Sequence, residues 1–283
     1  MSELLTDGLP KEDDLQRLFG RHYPLIGMLH LLPIPGSPRY DPAVGVVGIV
    51  DRARREAAQL VAAGFDGLIV ENGWDIPFLK PEDLGPETPS VMAVVLSDLR
   101  REFDVPFGVN VLANAAAVSL AVAAAAGGSF VRANQWANAY VANEGLIEGK
   151  AGQVLRYRRA LAAENVSIWA DVHVKLGAHA ITADRSIADQ TRDAAWFDAD
   201  AVIVTGTRLG NEPTDAEMAQ IRGATTLPIV VGSGVRADNI GAVARFTDGA
   251  IIGSAIKTGG VWHGDIDTVS CREIVAARDR IEG

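Results

Sequence analysis

The sequence is short of cysteine, of positive charge and of long apolar segments, and each deficit excludes a class of protein. Cys271 stands alone, which excludes an intrachain disulfide and is compatible with a reducing cytoplasm. Acidic residues outnumber basic ones by 36 to 26, and the formal net charge is −10. Such a surface does not attract nucleic acid or an anionic membrane. We therefore expect neither as a partner.

The longest uncharged stretch, residues 105–131, does not resemble a membrane span. One proline, two asparagines and three glycines interrupt it, which favours a strand, a turn and an alanine-rich helix packed inside a protein. Residues 1–22 are rich in acidic side chains and lack an apolar stretch after a basic start, unlike a secretory signal. We expect a cytoplasmic protein without membrane insertion.

The 283 residues are 48% hydrophobic and 22% charged, which is the composition of a globular protein with a large core. The length allows two ordinary domains, or one α/β barrel of about 250 residues. Short β-type segments alternate with helix-compatible ones along the whole chain. The predicted strands are 25–30, 67–71, 107–112, 130–133, 168–174, 201–205, 228–232 and 250–253. The predicted helices are 46–63, 89–103, 115–126, 150–164, 186–197, 215–223, 236–246 and 268–281.

Strict alternation of strand and helix predicts parallel strands joined by helical crossovers, and eight such units favour a closed (β/α)8 TIM barrel of the α/β class. The alternative is an open doubly wound sheet. No linker or shift of composition divides the chain, so we expect a single barrel over 23–283 preceded by an N-terminal extension over 1–22.

Three of the predicted strand-to-helix connections are long and two of them are rich in proline, namely 31–40, 72–88 and 134–149. In a barrel these connections share one end, where binding groups collect. They predict a shaped pocket at that end. The alternative is that the insertions only decorate the barrel.

The fifth predicted strand is the most informative segment, with the sequence IWADVHVK over 168–175. Alternation sends Asp171, His173 and Lys175 to one face, toward the barrel axis. Burying an unpaired polar group costs roughly 2–7 kcal/mol, so these side chains should line a solvated or ligand-filled mouth. At about 7 Å between Asp171 and His173 along the strand, they should address different parts of a ligand. The alternative is a structural network inside the barrel.

Other predicted strands also end in polar residues. They are His30, Glu71 with Asn72, Asn110, and Arg132. Together they would bring imidazole, carboxylate, amide and guanidinium groups into one cavity, which favours acid–base chemistry on a polyhydroxylated substrate.

Metal and cofactor signals are weak. A divalent metal at Asp171, His173, Glu71 or His30 is the alternative, but no HExxH or similarly specific spacing is present. We expect no cofactor and no metal.

Glycine-rich turns close the last two predicted strands and predict a phosphate site. Glycine lets backbone N–H groups approach an anion closely, helix N-termini add partial positive charge, and barrel enzymes often bind phosphate at this place. The alternative is that these glycines serve only tight turns. The expected phosphate-binding residues are Gly232, Ser233, Gly234, Gly253 and Ser254, with help from Thr205, Gly206 and Thr207.

Several stretches resemble the BtpA/SgcQ family over about residues 21–282. They are IGMLH at 26–30 with the loop 33–40, PFGVNVL at 106–112, FVR at 130–132 with EGLI at 144–147, ADVHVK at 170–175 and VGSGV at 231–235. The resemblance implies a fold similar to that of ribulose-phosphate-binding barrels. It implies no single activity, because one branch of the family is associated with photosystem I accumulation and another with genes for sugar uptake and kinases.

Two classes of function follow. In the first, the chain is a lyase, aldolase or isomerase acting on a phosphorylated sugar or nucleoside-like compound. Asp171 is then the acid or base, His173 and His30 relay or orient, and Lys175 forms a Schiff base or stabilises an enediolate. Cleavage of an N-glycosidic bond, with Asp171 or Glu71 assisting water, is a variant of this class. In the second, the barrel is a non-enzymatic assembly factor with an exposed apolar patch. Homo-oligomers through the outer helices are compatible with either.

Overall fold

The structure is a computed structural model that describes residues 11–206 and 213–282. The barrel strands are β1 (Leu25–His30), β2 (Gly67–Glu71), β3 (Phe107–Asn110), β4 (Phe130–Ala133), β7 (Ser167–Val172), β8 (Ala201–Val204), β9 (Ile229–Val231) and β10 (Gly249–Ile252). These eight parallel strands close into a barrel in the order β1-β10-β9-β8-β7-β4-β3-β2. The predicted closed TIM barrel is confirmed, and Leu25 of β1 pairs with Ala250 of β10 where the barrel closes.

Helices follow the barrel strands and form the outer layer. They are α2 (Gly45–Ala63), α3 (Glu87–Glu102), α4 (Ala116–Ala126), α5 (Ala151–Ala160), α6 (Ile187–Trp196), α7 (Asp215–Arg222), α8 (Ile240–Val243) and α9 (Thr268–Glu282). Capping boxes begin α6 and α7, where Ser186 and Thr214 each accept from a backbone N–H three residues on. None of the described helices is both long enough and apolar enough to cross a membrane.

One helix and two strands were not predicted. Helix α1 (Asp14–Phe19) lies within the expected extension, and β5 (Ala139–Ala142) pairs antiparallel with β6 (Gly145–Glu148) in the connection after β4. Several predicted elements end early, among them β3 at Asn110 and α5 at Ala160. Helix α8 has four residues because the turn before it extends to Asn239, and β7 ends at Val172.

The floor of the barrel is aromatic. Phe130 stacks on Trp169 with ring centroids 3.9 Å apart, and Phe19 of α1 contacts both rings. Gly108 leaves the room, because a Cβ at that position would lie 2.3 Å from the Phe130 ring. These rings fill the lower barrel and leave the carboxyl-terminal mouth to polar side chains.

Helix α1 closes the barrel from below. Leu15 packs into the interior cluster with Ile26, Phe130 and Trp169. Its neighbour Asp14 accepts from the indole of Trp169 at 2.7 Å. The opposite end of the barrel carries the candidate site.

Candidate functional site

Inward-facing positions at the carboxyl ends of the strands carry the polar residues. Ile26 and Met28 of β1, and Ile69 of β2, lie in the interior cluster. Alternation then brings His30 and Glu71, at the ends of the same strands, to the mouth. Asn110, Arg132, Asp171 and Thr205 follow the same pattern on β3, β4, β7 and β8, and all four are buried.

Arg132 and Asp171 form a buried ion pair at the centre of the mouth. Nε and Nη2 of Arg132 each donate to a different oxygen of Asp171 at 2.9 Å, and the Asp171 side chain has no solvent exposure. Asn134 donates a third hydrogen bond to Asp171 at 3.2 Å. Burial opposes the charge on Arg132, but attraction to Asp171 outweighs it and the pKa of Arg132 is raised. Both oxygens of Asp171 are therefore held by hydrogen bonds from the guanidinium of Arg132.

Glu71 is a second buried carboxylate at the mouth, and no described arginine or lysine forms an ion pair with it. Asn110 donates to its Oε2 at 2.7 Å, and Nε2 of His30 lies 3.5 Å from its Oε1. Burial raises the pKa of Glu71, with the charge of Arg132 acting in the opposite direction. A carboxyl group with a raised pKa in a protected mouth is suited to proton transfer.

Lys175 lies beside both carboxylates. Burial, reinforced by the charge of Arg132, lowers its pKa to about 8, against the attraction of Asp171 and Glu71. Its backbone N–H donates to the hydroxyl of Thr205 at 3.0 Å. Among the described residues, none accepts a hydrogen bond from the Lys175 amine. The amine is thus available to a ligand.

The expectation that alternation continues through 175 is wrong at His173. Strand β7 ends at Val172, and His173 has a φ of 53°, which interrupts the extended backbone that alternation requires. The His173 ring stacks on His179 at 3.9 Å. Burial, then the charge of His179, lowers the pKa of His173. Its surroundings are His179 and Glu217 rather than the mouth carboxylates, so it does not join the central group.

His30 does reach the mouth. Burial, with Lys257 next in effect, lowers its pKa to about 3, so the ring is neutral near pH 7. Its Nδ1 is buried without a hydrogen-bond partner, as is Oδ1 of Asn110. Neutral imidazole beside Glu71 can relay or accept a proton.

Asn72 holds two loops together. Its amide exchanges hydrogen bonds with the backbone of Leu112, at 2.7 Å to the N–H and 3.3 Å to the carbonyl, and donates to Asp75 at 3.2 Å. All of these bonds fix the connections after β2 and β3. The structure gives Asn72 a positioning role at the edge of the mouth.

The glycine-rich turns follow β8, β9 and β10 on one side of the mouth. Gly206 and Gly234 have φ of 67° and 75°, which favours glycine. A Cβ on Gly253 would lie no closer than 3.7 Å to another residue. Ser233 is buried, and Ser254 begins a 3₁₀ turn. We expected the N-terminus of the helix after β9 to add partial positive charge at the phosphate site. That expectation is wrong, since α8 has only four residues. Thr207 lies outside the described residues.

A group of aromatic side chains over the mouth was missed by sequence reasoning. Trp262 lies between His30 and Trp74, with ring centroids 5.7 and 5.1 Å away, and His263 contacts both tryptophans. We call these four residues the aromatic shelf. Trp74 follows β2 closely in sequence, but Trp262 comes ten residues after β10 ends, so their meeting depended on the fold.

The β5–β6 hairpin, also missed, holds the loop after β7. Val141 and Ala178 pair backbone to backbone, and Tyr140 contacts the ring of His179 at 5.6 Å. Nε2 of His179 lies 2.8 Å from the carbonyl of Val174. The hairpin thus fixes the segment that carries Lys175.

Within residues 11–206 and 213–282, no three or more histidine, cysteine, aspartate or glutamate side chains are placed together to hold a metal ion.

Solved structures with this fold cover nearly the whole chain. The chain is similar to tryptophan synthase from M. tuberculosis, with a TM-score of 0.58, 16% identity, and coverage of 94% of this chain and 98% of that one. It is also similar to (S)-3-O-geranylgeranylglyceryl phosphate synthase from Thermoplasma acidophilum, solved with sn-glycerol-1-phosphate. That match has a TM-score of 0.56, 14% identity, and coverage of 93% and 96%. At these identities the likeness shows the TIM-barrel fold alone.

Sequence relatives are closer. An uncharacterised protein from Archaeoglobus fulgidus is 38% identical over 253 residues, 89% of this chain and 97% of that protein. The photosystem I biogenesis protein BtpA from Synechocystis is 36% identical over 270 residues, covering 93% and 91%. A model of the BtpA family matches residues 21–280. The chain therefore belongs to the BtpA family.

Proposed function

We propose that the protein is an enzyme that acts on a small phosphorylated sugar-type substrate by acid–base chemistry at the barrel mouth. The observation that carries this proposal is the meeting of four ionisable groups in one mouth, where Glu71, Arg132 and Asp171 are buried and Lys175 is partly buried. Burying charged groups costs folding free energy, so stability does not explain why they are there. Ionisable groups with shifted pKa values cluster at functional sites. The solved barrels that resemble this chain include enzymes whose names contain a phosphate compound, which favours the same substrate class.

Glu71 is the proposed proton-transfer group, in preference to Asp171. Glu71 takes a proton from a carbon next to the substrate carbonyl, and the electron pair moves onto the carbonyl oxygen. The Lys175 ammonium stabilises the resulting oxyanion of the enediolate. The proton of the neighbouring hydroxyl passes to that oxyanion, and Glu71 returns its proton to the former carbonyl carbon, which leaves the new carbonyl on the neighbouring carbon and completes the isomerisation. Asp171 fixes Arg132, whose Nη1 has no described acceptor and holds a substrate oxygen.

Lys175 also permits lyase chemistry. With a pKa of about 8, part of the amine is neutral near pH 7.5 and can add to a carbonyl as a Schiff base. Borohydride would then fix a substrate on Lys175, and absence of such an adduct with a turned-over substrate would favour the enediolate route.

The phosphate is proposed to lie on Gly232–Gly234 and Gly253–Ser254. The test is thermal unfolding with triose, pentose and hexose phosphates, with the unphosphorylated sugars and inorganic phosphate as comparisons. A ligand at 100 times its Kd stabilises by about 2.7 kcal/mol, a readily measured rise in Tm. We expect Gly253→Asp to abolish the rise by repelling phosphate and the isosteric Gly253→Asn to keep it.

A complete lack of stabilisation by phosphorylated sugars would remove the proposal. It would favour the non-enzymatic alternative, an assembly role of the kind named for the Synechocystis relative. Cytoplasmic location and self-association stay predictions; the name of one 37% identical relative, from Caenorhabditis elegans, places that protein in mitochondria.

A further inference from the structure

The aromatic shelf lies directly against the proposed acid–base group. Gly73 connects the two, because a Cβ on Gly73 would lie 3.0 Å from Cδ2 of His30 and 3.3 Å from Oε1 of Glu71. The next residue is Trp74. On the other side, Trp262 belongs to the connection after β10, which begins with the proposed phosphate-binding turn at Gly253. A ligand in the mouth is therefore bounded by a phosphate site, a carboxylate and two indoles.

The two shelf tryptophans differ from the tryptophans that serve the core. The indole N–H of Trp136 donates to the carbonyl of Phe197 at 2.9 Å, and that of Trp169 donates to Asp14 at 2.7 Å. Trp74 and Trp262 are partly exposed, and no described residue accepts from either indole. Both are paired edge-to-face or tilted with their neighbours rather than stacked, and both keep part of their surface exposed.

Unsatisfied polar atoms point to the same ligand. Two atoms are buried without a hydrogen-bond partner. They are Nδ1 of His30, a member of the shelf, and Oδ1 of Asn110, whose Nδ2 donates to Glu71. A buried polar atom without a hydrogen bond costs free energy, and two such atoms beside Glu71 are more readily explained by a functional role than by stability.

We propose that the aromatic shelf stacks the base of a nucleoside 5′-phosphate, with the ribose over Glu71 and Asn110. This inference rests on the proposed function and narrows its substrate class to phosphorylated sugars that carry a planar heteroaromatic ring. Indole faces stack on any base, and the free indole N–H groups supply donors to the polar edge of a base or to the sugar. Ribose joins the base to the 5′-phosphate, and the two proposed subsites are neighbours, since a Cβ on Gly253 would lie 3.7 Å from Cε1 of His30.

The test compares ribose 5-phosphate with AMP, GMP, CMP and UMP by isothermal titration calorimetry. We expect at least one nucleotide to bind about 5- to 150-fold more tightly than ribose 5-phosphate, as stacking of one base provides. The ratio should fall to near 1 in Trp262→Leu and in Trp74→Leu, and Trp262→Phe should keep most of it. The matched control is Trp196→Leu, because Trp196 is 58% exposed at the far end of α6 and should leave the ratio unchanged.

Equal affinity for ribose 5-phosphate and all four nucleotides, or a ratio that survives both leucine variants, would overturn the inference while leaving the proposed function intact. Failure of the proposed function itself would appear as no binding of any phosphate compound. The four free nucleosides then decide: binding that is lost in Trp262→Leu supports the shelf as a base site, and no nucleoside binding overturns it.

Discussion

Among single side chains, His30 shows a strong effect of burial on acid–base behaviour. Its pKa falls from 6.5 to about 3 in the folded protein. A histidine with a lowered folded pKa takes up a proton on unfolding, so its contribution to stability is complete above about pH 6.5 and is lost as the pH falls toward 3. The slope is about 1.4 kcal/mol per pH unit.

Urea unfolding at pH 7.5 and 5.5 measures this contribution. We expect the wild-type protein to lose about 1.4 kcal/mol more free energy of unfolding between these pH values than His30→Asn does. His22→Asn, at an exposed position, should behave like the wild type. An identical loss in wild type and His30→Asn would show that His30 titrates normally.

Lys175 provides a second measurement that needs no substrate. With ¹³C-labelled lysine, the ε-carbon resonance that disappears in Lys175→Arg should titrate with a midpoint of about 8. Glu71→Gln should lower that midpoint further, because it removes an attractive negative charge. A midpoint near 10.5 would mean that the amine is solvated and would remove the Schiff-base route.

Strands β3 and β4 pack closely where Gly108 of β3 faces the ring of Phe130 on β4. Gly108→Ala would place a methyl group 2.3 Å from a carbon of the Phe130 ring, and that ring cannot move freely because Trp169 stacks on it. We expect a loss of about 1–3 kcal/mol in the free energy of unfolding, as for overpacked cores.

Two further variants make the Gly108 prediction specific. Gly241→Ala, where a Cβ meets nothing within 4 Å, should change stability by less than about 1 kcal/mol. Adding Phe130→Leu to Gly108→Ala should cost less than the sum of the two single changes. Strict additivity would mean that the two residues do not clash.

The elements that sequence could predict are those with a strong pattern. The eight barrel strands are short buried runs between helical segments, so their order and parallel pairing followed directly. The hairpin strands β5 and β6 have four residues each and are half exposed, so their pattern is weak. One signal was present, since Gly145 follows Asn143 by two positions and adopts a φ of 99°.

The same distinction applies to the site, where the sequence pattern predicts the positions of some residues and not of others. Residues at regular inward positions, such as Glu71 and Asp171, came to the mouth as alternation predicts. His173 did not, because a positive φ in a residue other than glycine leaves no mark in the sequence. The aromatic shelf needed the three-dimensional structure, since Trp74 and Trp262 are brought together only by closure of the barrel.

Over the whole molecule, the two ends of the barrel have separate tasks. The floor, with Leu15 of α1 in the interior cluster, supports the fold, and the polar mouth lies at the opposite end. Leu15→Ala should lower the free energy of unfolding by about 2–5 kcal/mol and leave ligand affinity of the folded protein unchanged. Gln16→Ala, at an exposed position of the same helix, is the control.

Urea unfolding and calorimetric titration with ribose 5-phosphate check both halves of this prediction. A ligand Kd that changes in Leu15→Ala but not in Gln16→Ala would show that floor and mouth are coupled.

Because Leu25 of β1 pairs with Ala250 of β10, β1 cannot gain this neighbouring strand until the ribosome has synthesised residue 250. The first strand leaves the exit tunnel long before its second neighbour exists, and at 5–20 residues per second that neighbour follows after roughly 10–45 s. During this interval one edge of β1 has no partner, and a chaperone that shields exposed strand edges would find its binding site there. Translation slowed at any point before residues 249–252 have left the tunnel would lengthen the exposure.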